Sequence, residues 1–583
     1  MADEILLQRV RNRAEKWLSE DYDDETRSRV QTLLDSEDLA EELADAFYRN
    51  LDFGTGGLRG VMGVGSNRMN RYTVGIATQG LVNYLLKEFS SLSEISVVVG
   101  YDCRNNSVMF AEAVADIFSA NGIKTFLFSD LRPTPEVSYA VRCLGCQAGV
   151  MITASHNPKE YNGYKVYWND GAQVVAPHDR NIFAEMNNIS SIGDVNFCGK
   201  PELIYFLDEE MDDRYIGDLL ALSLSPDAIE RRRDIKIVYT PIHGTGVTLI
   251  PRALSALGFT NVIHVPEQDV VSGDFPTVAL PNPEEAAAFE MAIKRAVETD
   301  ADIVLASDPD ADRVGLAVKD DDGRFVLLNG NQTLLIYLYY LIVRRKELGL
   351  LKGGEYVVKT IVSTELVKAI ADRHKVKLYN CYTGFKWIAA IIREKEDKET
   401  YIGGGEESYG FLVEDFVRDK DAVSGCMLLS EIAAWAADGG RTLYRLLQDI
   451  YVEYGFSKEW GVSVIKEGRS GAEEIESMMK NYRLNGISEL AGSKVVLVYD
   501  FKKLTAFDLI ENETFTLDMP TTSNVLQYFS EDGTKVSVRP SGTEPKIKFY
   551  VEVRGRVDSR EGLAAAELAA EKKFEAVKKS LGI

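Results

Sequence analysis

Three times along the chain, short aliphatic and aromatic runs alternate with stretches of helical periodicity and then give way to a polar loop. The first copy places strands at Val97–Tyr101, Ile123–Phe128 and Ala148–Thr153 and ends in Ala154-Ser-His-Asn-Pro158. The second places them at Ile235–Tyr239, Val262–Val265 and Ile303–Ala306, ending in Ser307-Asp-Pro-Asp-Ala-Asp-Arg313. The third has Tyr356–Ile361, Val376–Tyr379 and Tyr401-Ile402, ending in Gly403-Gly-Gly-Glu-Glu-Ser-Tyr-Gly410. Short apolar strands separated by helices predict parallel α/β units. Ligands of such sheets collect beyond the carboxyl ends of the strands, where each polar loop falls.

The two ends of the chain read differently. Leu6, Val10, Ala14 and Trp17 recur at helical spacing and Leu39–Tyr48 is rich in alanine and leucine, so residues 1–50 are predicted helical. Near the other end, Lys494–Tyr499, Lys535–Arg539 and Lys546–Val553 read as strands, with a loop at Pro540–Pro545 and an alanine-rich helix over Arg560–Lys579. The expected fold class is α/β: three successive mixed-sheet domains of shared topology followed by an α+β domain. Boundaries are placed near residues 220, 330 and 460, giving 1–220 (with the helical extension), 221–330, 331–460 and 461–583.

Composition narrows the function classes. A chain of 583 residues, 45% apolar and 27% charged, has the balance of a folded globular protein of about four domains. Ninety acidic against 66 basic residues leave a net charge of −24, which opposes nucleic acid and anionic membranes. An anionic substrate therefore needs a local basic pocket. Leu334–Val343, the longest apolar run, is far short of the roughly 20 residues of a membrane span and reads as a buried helix. The first residues lack a basic segment leading into an apolar one, so no signal peptide is expected. Six cysteines form no disulfide framework, and the CxxC of Cys143 and Cys146 lacks a second pair or a nearby histidine for zinc. The expectation is a cytoplasmic protein in a reducing compartment.

The loops carry the chemistry. Asp308, Asp310 and Asp312 cluster three hard oxygen donors that repel one another unless a divalent cation neutralises them. An EF-hand calcium loop does not fit, because Arg313 stands where glycine is needed and Lys319 where a bidentate glutamate belongs. Magnesium, which fills its shell from phosphate or water, suits the loop better. Ser155 sits in no GxSxG elbow; alone it would read as a turn or cap, but beside an aspartate loop it reads as a phosphoryl carrier. Arg539-Pro-Ser-Gly-Thr543, followed by Lys546 and Lys548, offers a guanidinium, two hydroxyls and a loosened backbone, the donors a phosphate dianion needs. Gly54-Thr-Gly-Gly-Leu-Arg-Gly60 matches neither the dinucleotide nor the Walker pattern.

Thr153-Ala-Ser-His-Asn-Pro158, Asp308-Pro-Asp-Ala-Asp-Arg313, Gly405-Glu-Glu-Ser408 and Arg539-Pro-Ser-Gly-Thr-Glu-Pro545, in this order, resemble the motifs of the α-D-phosphohexomutase superfamily. The helical N-terminal segment and Phe53-Gly-Thr-Gly-Gly-Leu-Arg59 resemble its long-chain phosphoglucomutase and phosphopentomutase branch. The resemblance implies a heart-shaped, four-domain molecule with one loop from each domain in a central cleft. It implies a phosphorylated Ser155 and Mg²⁺ held by Ser155, Asp308, Asp310 and Asp312. Arg59, His156 and Lys165 match positions around the phosphoserine, and Lys386, in Thr383-Gly-Phe-Lys-Trp387, matches a lysine near the transferred proton. Glu406 and Ser408 are implied to bind sugar hydroxyls, and Arg539, Ser541, Gly542 and Thr543 to hold the other phosphate; Thr383 and Arg313 complete the substrate set. Relatives that accept both mannose and glucose phosphates carry a histidine two residues after the Ser408 equivalent; here Gly410 stands there, which favours the glucose or pentose branch. The implied reaction interconverts glucose 1-phosphate and glucose 6-phosphate through glucose 1,6-bisphosphate. A phosphopentomutase or a sugar-bisphosphate synthase would share every motif. The expected partners are small sugar phosphates.

Overall fold

Each of the first three sheets repeats one local plan, in which a central strand is flanked by the two that follow it in sequence. The computed structural model describes residues 2–54, 57–466, 468–541 and 546–583. The first sheet contains β1 (Gly57–Val61), β2 (Ser96–Tyr101), β3 (Lys124–Phe128), β4 (Ala148–Ile152), β5 (Tyr161–Trp168) and β6 (Ile204–Leu207), in the order β1-β5-β4-β2-β3-β6. The second contains β7 (Lys236–Thr240), β8 (Asn261–His264), β9 (Ile303–Ser307), β10 (Val314–Lys319) and β11 (Phe325–Leu328), ordered β11-β10-β9-β7-β8. The third contains β12 (Glu355–Thr360), β13 (Lys377–Cys381), β14 (Thr400–Gly405) and β15 (Phe411–Leu412), ordered β13-β12-β14-β15. The triplets β4-β2-β3, β9-β7-β8 and β14-β12-β13 are parallel and superimpose in order.

The polar loops do not end the units, as the strand pattern alone suggests. After each loop the chain returns antiparallel to the strand it has just left, as β5 on β4, β10 on β9 and β15 on β14. Each sheet is therefore mixed, and each loop is the turn of a hairpin at the carboxyl edge of a parallel core.

The fourth sheet is antiparallel throughout. It comprises β16 (Phe456–Ile465), β17 (Glu489–Leu490), β18 (Ser493–Asp500), β19 (Thr505–Asp508), β20 (Glu513–Thr516), β21 (Leu526–Ser530), β22 (Lys535–Pro540) and β23 (Lys546–Gly555). β16 spans the expected boundary near 460 and pairs along its whole length with β23, so this sheet takes in residues from 456. The helix Leu563–Leu581 packs behind it.

At the other end, α1 (Ala2–Glu15), α2 (Asp24–Asp35) and α3 (Ala40–Phe47) close over the first unit, placing Val10, Trp17, Leu33 and Phe47 in one core with Leu81, Val97 and Val114. The Leu334 run lies in the buried helix Gly330–Glu347, as expected. It belongs to a continuous core that reaches from the first unit to the fourth. Among the described residues no helix is long and apolar enough to cross a membrane. The six cysteines are free.

The third and fourth units are joined by a buried ionic cluster. Lys535 Nζ lies 2.8 Å from Glu365 Oε1 and 3.0 Å from Glu552 Oε2, and Lys359 Nζ lies 3.1 Å from Glu365 Oε1. Tyr382 OH also donates to Thr521 O at 2.6 Å.

The aspartate loop is set by close backbone packing. A Cβ on Gly244 would stand 2.5 Å from Pro309 Cα and 2.6 Å from Pro309 O. Gly244→Ala is therefore expected to cost ~1–3 kcal/mol and to lower the melting midpoint by a few degrees; a midpoint equal to wild type would show that the loop yields.

Candidate active site

The serine loop leaves β4 under strain. Ser155 is 3% exposed and adopts φ 53°, the left-handed region that costs a non-glycine residue about 1–3 kcal/mol. Its N–H donates to Thr153 Oγ1 at 2.8 Å. Its Oγ donates to Asp308 Oδ2 at 2.8 Å and stands 3.2 Å from His156 Nδ1. The neighbouring strands bring up two cations. Arg59 on β1 pairs with Gly163 and Lys165 on β5 pairs with Gly57, so both side chains leave the same face of the ladder. Tyr164 and Val166 point the opposite way into the first core.

Asp308, Asp310 and Asp312 follow β9, fully buried, with ligand oxygens within 4.8 Å of one another. Asp308 Oδ1 accepts the N–H groups of Asp312 and Arg313, each at 3.0 Å. Thr134 Oγ1 from the first unit donates to Asp310 Oδ2 at 2.9 Å. Lys165 Nζ lies 2.8 Å from Asp310 Oδ2 and 3.0 Å from Asp312 Oδ2. Lys420 Nζ, from the third unit, lies 2.5 Å from Asp312 Oδ2. Asp310 Oδ1 and Asp312 Oδ1 have no hydrogen-bond partner although both are buried. Hard, buried, unpaired oxygens in a tight set fit a divalent cation. This is the one group of three metal-ligating side chains among the described residues, and Cys143 and Cys146 form no comparable set.

The third loop folds back on itself, Glu406 N–H donating to Gly410 O at 2.8 Å and Ser408 Oγ to Glu406 Oε2 at 3.1 Å. Val314 N–H donates to Tyr409 O at 3.0 Å and ties it to the aspartate hairpin. Thr383 and Gly384 lead into the helix Phe385–Lys395, with Gly384 at φ 113°. In the fourth unit Arg539 on β22 pairs with Lys548 on β23, and Ser541 N–H donates to Lys546 O at 2.7 Å. Gly542 and Thr543 lie outside the described residues.

These elements enclose one cleft of about 1090 Å³, and all four units reach it. Arg59, Ser155, His156, Lys165, Arg313, Thr383, Lys386, Glu406, Ser408 and Arg539 line it together. The aspartates lie beneath, reached through Ser155 and Lys165. Sequence reasoning missed Lys420, Thr134 and Glu284, whose Oε1 accepts from Arg313 Nη1 at 2.6 Å. For Lys420 a signal existed: Arg418-Asp-Lys-Asp421, four charges directly ahead of the apolar helix Ala422–Asp438, cannot all be solvated once that helix is buried.

Burial and neighbouring charge set the protonation states. Burial and repulsion from Asp312 and Asp310 push Asp308 well above the usual carboxylate range. Burial acts the same way on Asp310, but Lys165 and Lys420 overcome it and hold Asp310 below that range. Lys165 is held up by Asp310 and Asp312 against the effect of burial, so it stays an ammonium. Burial, with Arg313 and Arg59 nearby, pushes His156 well below 6.5 and leaves it neutral. Burial brings Lys386 down to about 8, only weakly opposed by Asp179. Burial and repulsion from Glu407 raise Glu406 to about 7.

Four successive family models match the chain: phosphoglucomutase/phosphomannomutase alpha/beta/alpha domains I, II and III at residues 50–192, 213–323 and 329–454, and the C-terminal domain at 483–571. A phosphoglucomutase of Staphylococcus haemolyticus is 38% identical over 87% of this chain and 90% of its own. One from Staphylococcus aureus strain MRSA252 is 36% identical over 88% and 91%. Among solved structures, pp63/parafusin, a phosphoglucomutase from Paramecium in an open form, matches with a TM-score of 0.68 at 16% identity over 92% of this chain and 97% of that one. A phosphoglucomutase/phosphomannomutase family protein from Burkholderia thailandensis gives 0.65 at 18% identity, over 91% and 97%. At these identities the two structures speak for the fold alone.

Glu406 provides a test of the site's electrostatics. A carboxyl raised from 4.5 to about 7 binds its proton more tightly folded than unfolded, so its contribution is complete below 4.5 and is lost as pH rises towards 7. Glu406→Gln, which keeps the shape without the charge, is expected to melt several degrees above wild type at pH 8 without divalent cation. The two curves should converge near pH 4.5; parallel curves across that window would refute the buried charge.

Proposed function

The chain belongs to the phosphoglucomutase/phosphomannomutase family, and from that membership we propose that it interconverts glucose 1-phosphate and glucose 6-phosphate, with Ser155 as the phosphoryl carrier. It is an isomerase of the intramolecular phosphotransferase kind. The observation that carries the assignment of roles is the contact of Ser155 Oγ with Asp308 across two sheets, facing Arg539 over one cleft. A mutase must act on both ends of one sugar, so it needs a reaction centre and a separate grip for the phosphate that is not reacting.

The grip is assigned to Arg539 and Ser541, with Gly542 and Thr543 completing it by motif. Glu406 and Ser408 bind the sugar hydroxyls between the two ends, and Thr383 and Arg313 complete the substrate set. At the reaction centre a sugar hydroxyl oxygen bonds to the phosphorus carried by Ser155 while the P–Oγ bond breaks. The hydroxyl proton leaves to a base and Oγ regains a proton, so charge and atoms balance. The product is glucose 1,6-bisphosphate, which reorients in the cleft and returns its other phosphate to Ser155 by the same step reversed. Lys386, which burial brings to about 8, serves as base for one half-reaction, and neutral His156 for the other. Lys165, held protonated by Asp310 and Asp312, is left as a cation that offsets phosphate charge, as is Arg59. Asp308, Asp310, Asp312 and Ser155 would hold Mg²⁺, which neutralises charge on the transferring group when bound.

Gly410 stands where relatives that accept both mannose and glucose phosphates carry a histidine, which favours the glucose or pentose branch. A Cβ there would stand 2.6 Å from Lys420 Cδ, so a larger residue at 410 requires that lysine, which pairs with Asp312, to shift.

Ser155→Ala is expected to abolish turnover while the melting curve holds, and near-normal turnover would overturn the carrier role. Arg539→Ala is expected to raise KM roughly tenfold with kcat little changed; an unchanged KM contradicts the grip. Substrate choice is read by ³¹P NMR with Mg²⁺ and a trace of glucose 1,6-bisphosphate, supplying glucose, ribose and mannose 1-phosphates in parallel. Conversion should be fastest for the glucose ester; a clear preference for ribose 1-phosphate would make the enzyme a phosphopentomutase.

A further inference from the structure

One guanidinium collects the backbone of the serine loop. Arg104 follows β2 and is 3% exposed. Its Nη1 donates to Pro158 O at 2.8 Å and Tyr161 O at 3.0 Å. Its Nη2 donates to Ser155 O at 2.6 Å and Asn157 O at 2.5 Å. The loop thus turns around a cation, which satisfies carbonyls on both sides of the turn. Asp102 orients that cation from behind: its Oδ1 accepts from Arg104 N–H at 2.9 Å and Ser107 Oγ at 2.8 Å, and its Oδ2 lies 3.4 Å from Arg104 Nε.

One face of the guanidinium is covered from the second unit. Arg104 Cζ stands 5.1 Å from the centroid of Phe275, itself 2% exposed. The segment bearing Phe275 is held against the first unit, since a Cβ on Gly273 would lie 2.4 Å from Asn105 N, and Asn105 Nδ2 donates to Asp274 Oδ1 at 3.1 Å. Buried His243 pins the same segment from its own unit, with Nδ1 2.7 Å from Val270 O and Nε2 2.8 Å from Thr277 Oγ1.

We propose that Arg104 is a positioning residue for the phosphoryl transfer, holding Ser155 in its left-handed conformation with Oγ against Asp308, and that Phe275 couples this hold to the unit that carries the aspartates. Removing the fork takes a donor from all four carbonyls, leaving buried Ser155 O without the fork and Pro158 O with only the Tyr161 N–H, and the loop then relaxes towards conformations in which Oγ leaves Asp308. A lysine keeps the charge but lacks the planar fork that reaches all four oxygens. A displacement of about 1 Å at a reacting atom costs roughly 10²-fold in rate, without touching the grip on the distant phosphate.

This inference rests on the carrier role given to Ser155, and the test separates the two. Arg104→Lys and Phe275→Leu are measured beside wild type for kcat and KM with glucose 1-phosphate, for the single-turnover rate of phosphate leaving Ser155, and for melting midpoint. Arg104→Lys should lose roughly 10²-fold in kcat and in the single-turnover rate, with KM within about threefold of wild type. Phe275→Leu should lose less, in the same pattern. A folded Arg104→Lys with wild-type kcat overturns the proposal, as does a loss confined to KM. Should Arg104→Lys fail to fold, Phe275→Leu decides: a fall in kcat at constant KM and midpoint supports the proposal, and wild-type kinetics overturn it. Wild-type protein that turns over without phosphate on Ser155 would instead refute the carrier role, and the positioning role with it.

Discussion

Three carboxylates without solvent, close enough to share one ion, are the constraint around which the rest of the molecule is organised. Isolated in the second unit, Asp308, Asp310 and Asp312 would repel one another in a medium that screens poorly. Beyond Arg313 and the loop's own N–H groups, the compensation comes from elsewhere: Ser155 and Lys165 from the first unit and Lys420 from the third. No unit owns the site. Close glycine contacts serve this meeting as well, since a Cβ on Gly273 of the second unit would lie 2.4 Å from Asn105 N of the first.

What was legible in the sequence was chemistry contained in short windows. The aspartate loop, the serine loop and the arginine loop each declare themselves within a few consecutive residues, and the apolar runs that flank them have the length of buried parallel strands. What was not legible depends on pairs distant in sequence. Lys420 is 108 residues from Asp312, and Lys165 reaches Asp310 across 145. Lys165 could be placed only by its resemblance to a family position, and Arg104 carried no mark at all, because its four acceptors are backbone carbonyls and have no side-chain signature. The returning strands escaped for another reason. β5 is buried along nearly its whole length, on both faces, so the alternation that marks a half-exposed strand is missing.

Charge is distributed against the average. A chain with a net charge of −24 gathers Arg59, Lys165, Lys386, Lys420, Arg539 and Lys548 around a single cleft, the local basic pocket that an anionic substrate requires. Glu284, Glu406 and Glu407 line the same cleft. Part of the cationic lining is thus already compensated within the protein, as where Arg313 holds Glu284 at 2.6 Å.

The reach of Lys420 has a consequence for how the chain is made. Synthesis proceeds from the N-terminus, and units fold as they emerge. When the aspartate loop leaves the ribosome the first unit is already available to supply Lys165, but the residues up to Lys420 have still to be added. Over that interval the turn between β9 and β10 is one cation short of its final set, since Asp312 still lacks Lys420. The ionic cluster between Lys359, Glu365, Lys535 and Glu552 repeats the arrangement one step later, with acid and base supplied by both the third and fourth units. A chain that stops between units therefore holds its buried charges with part of their compensation missing, Asp312 without Lys420 and Glu365 with Lys359 alone.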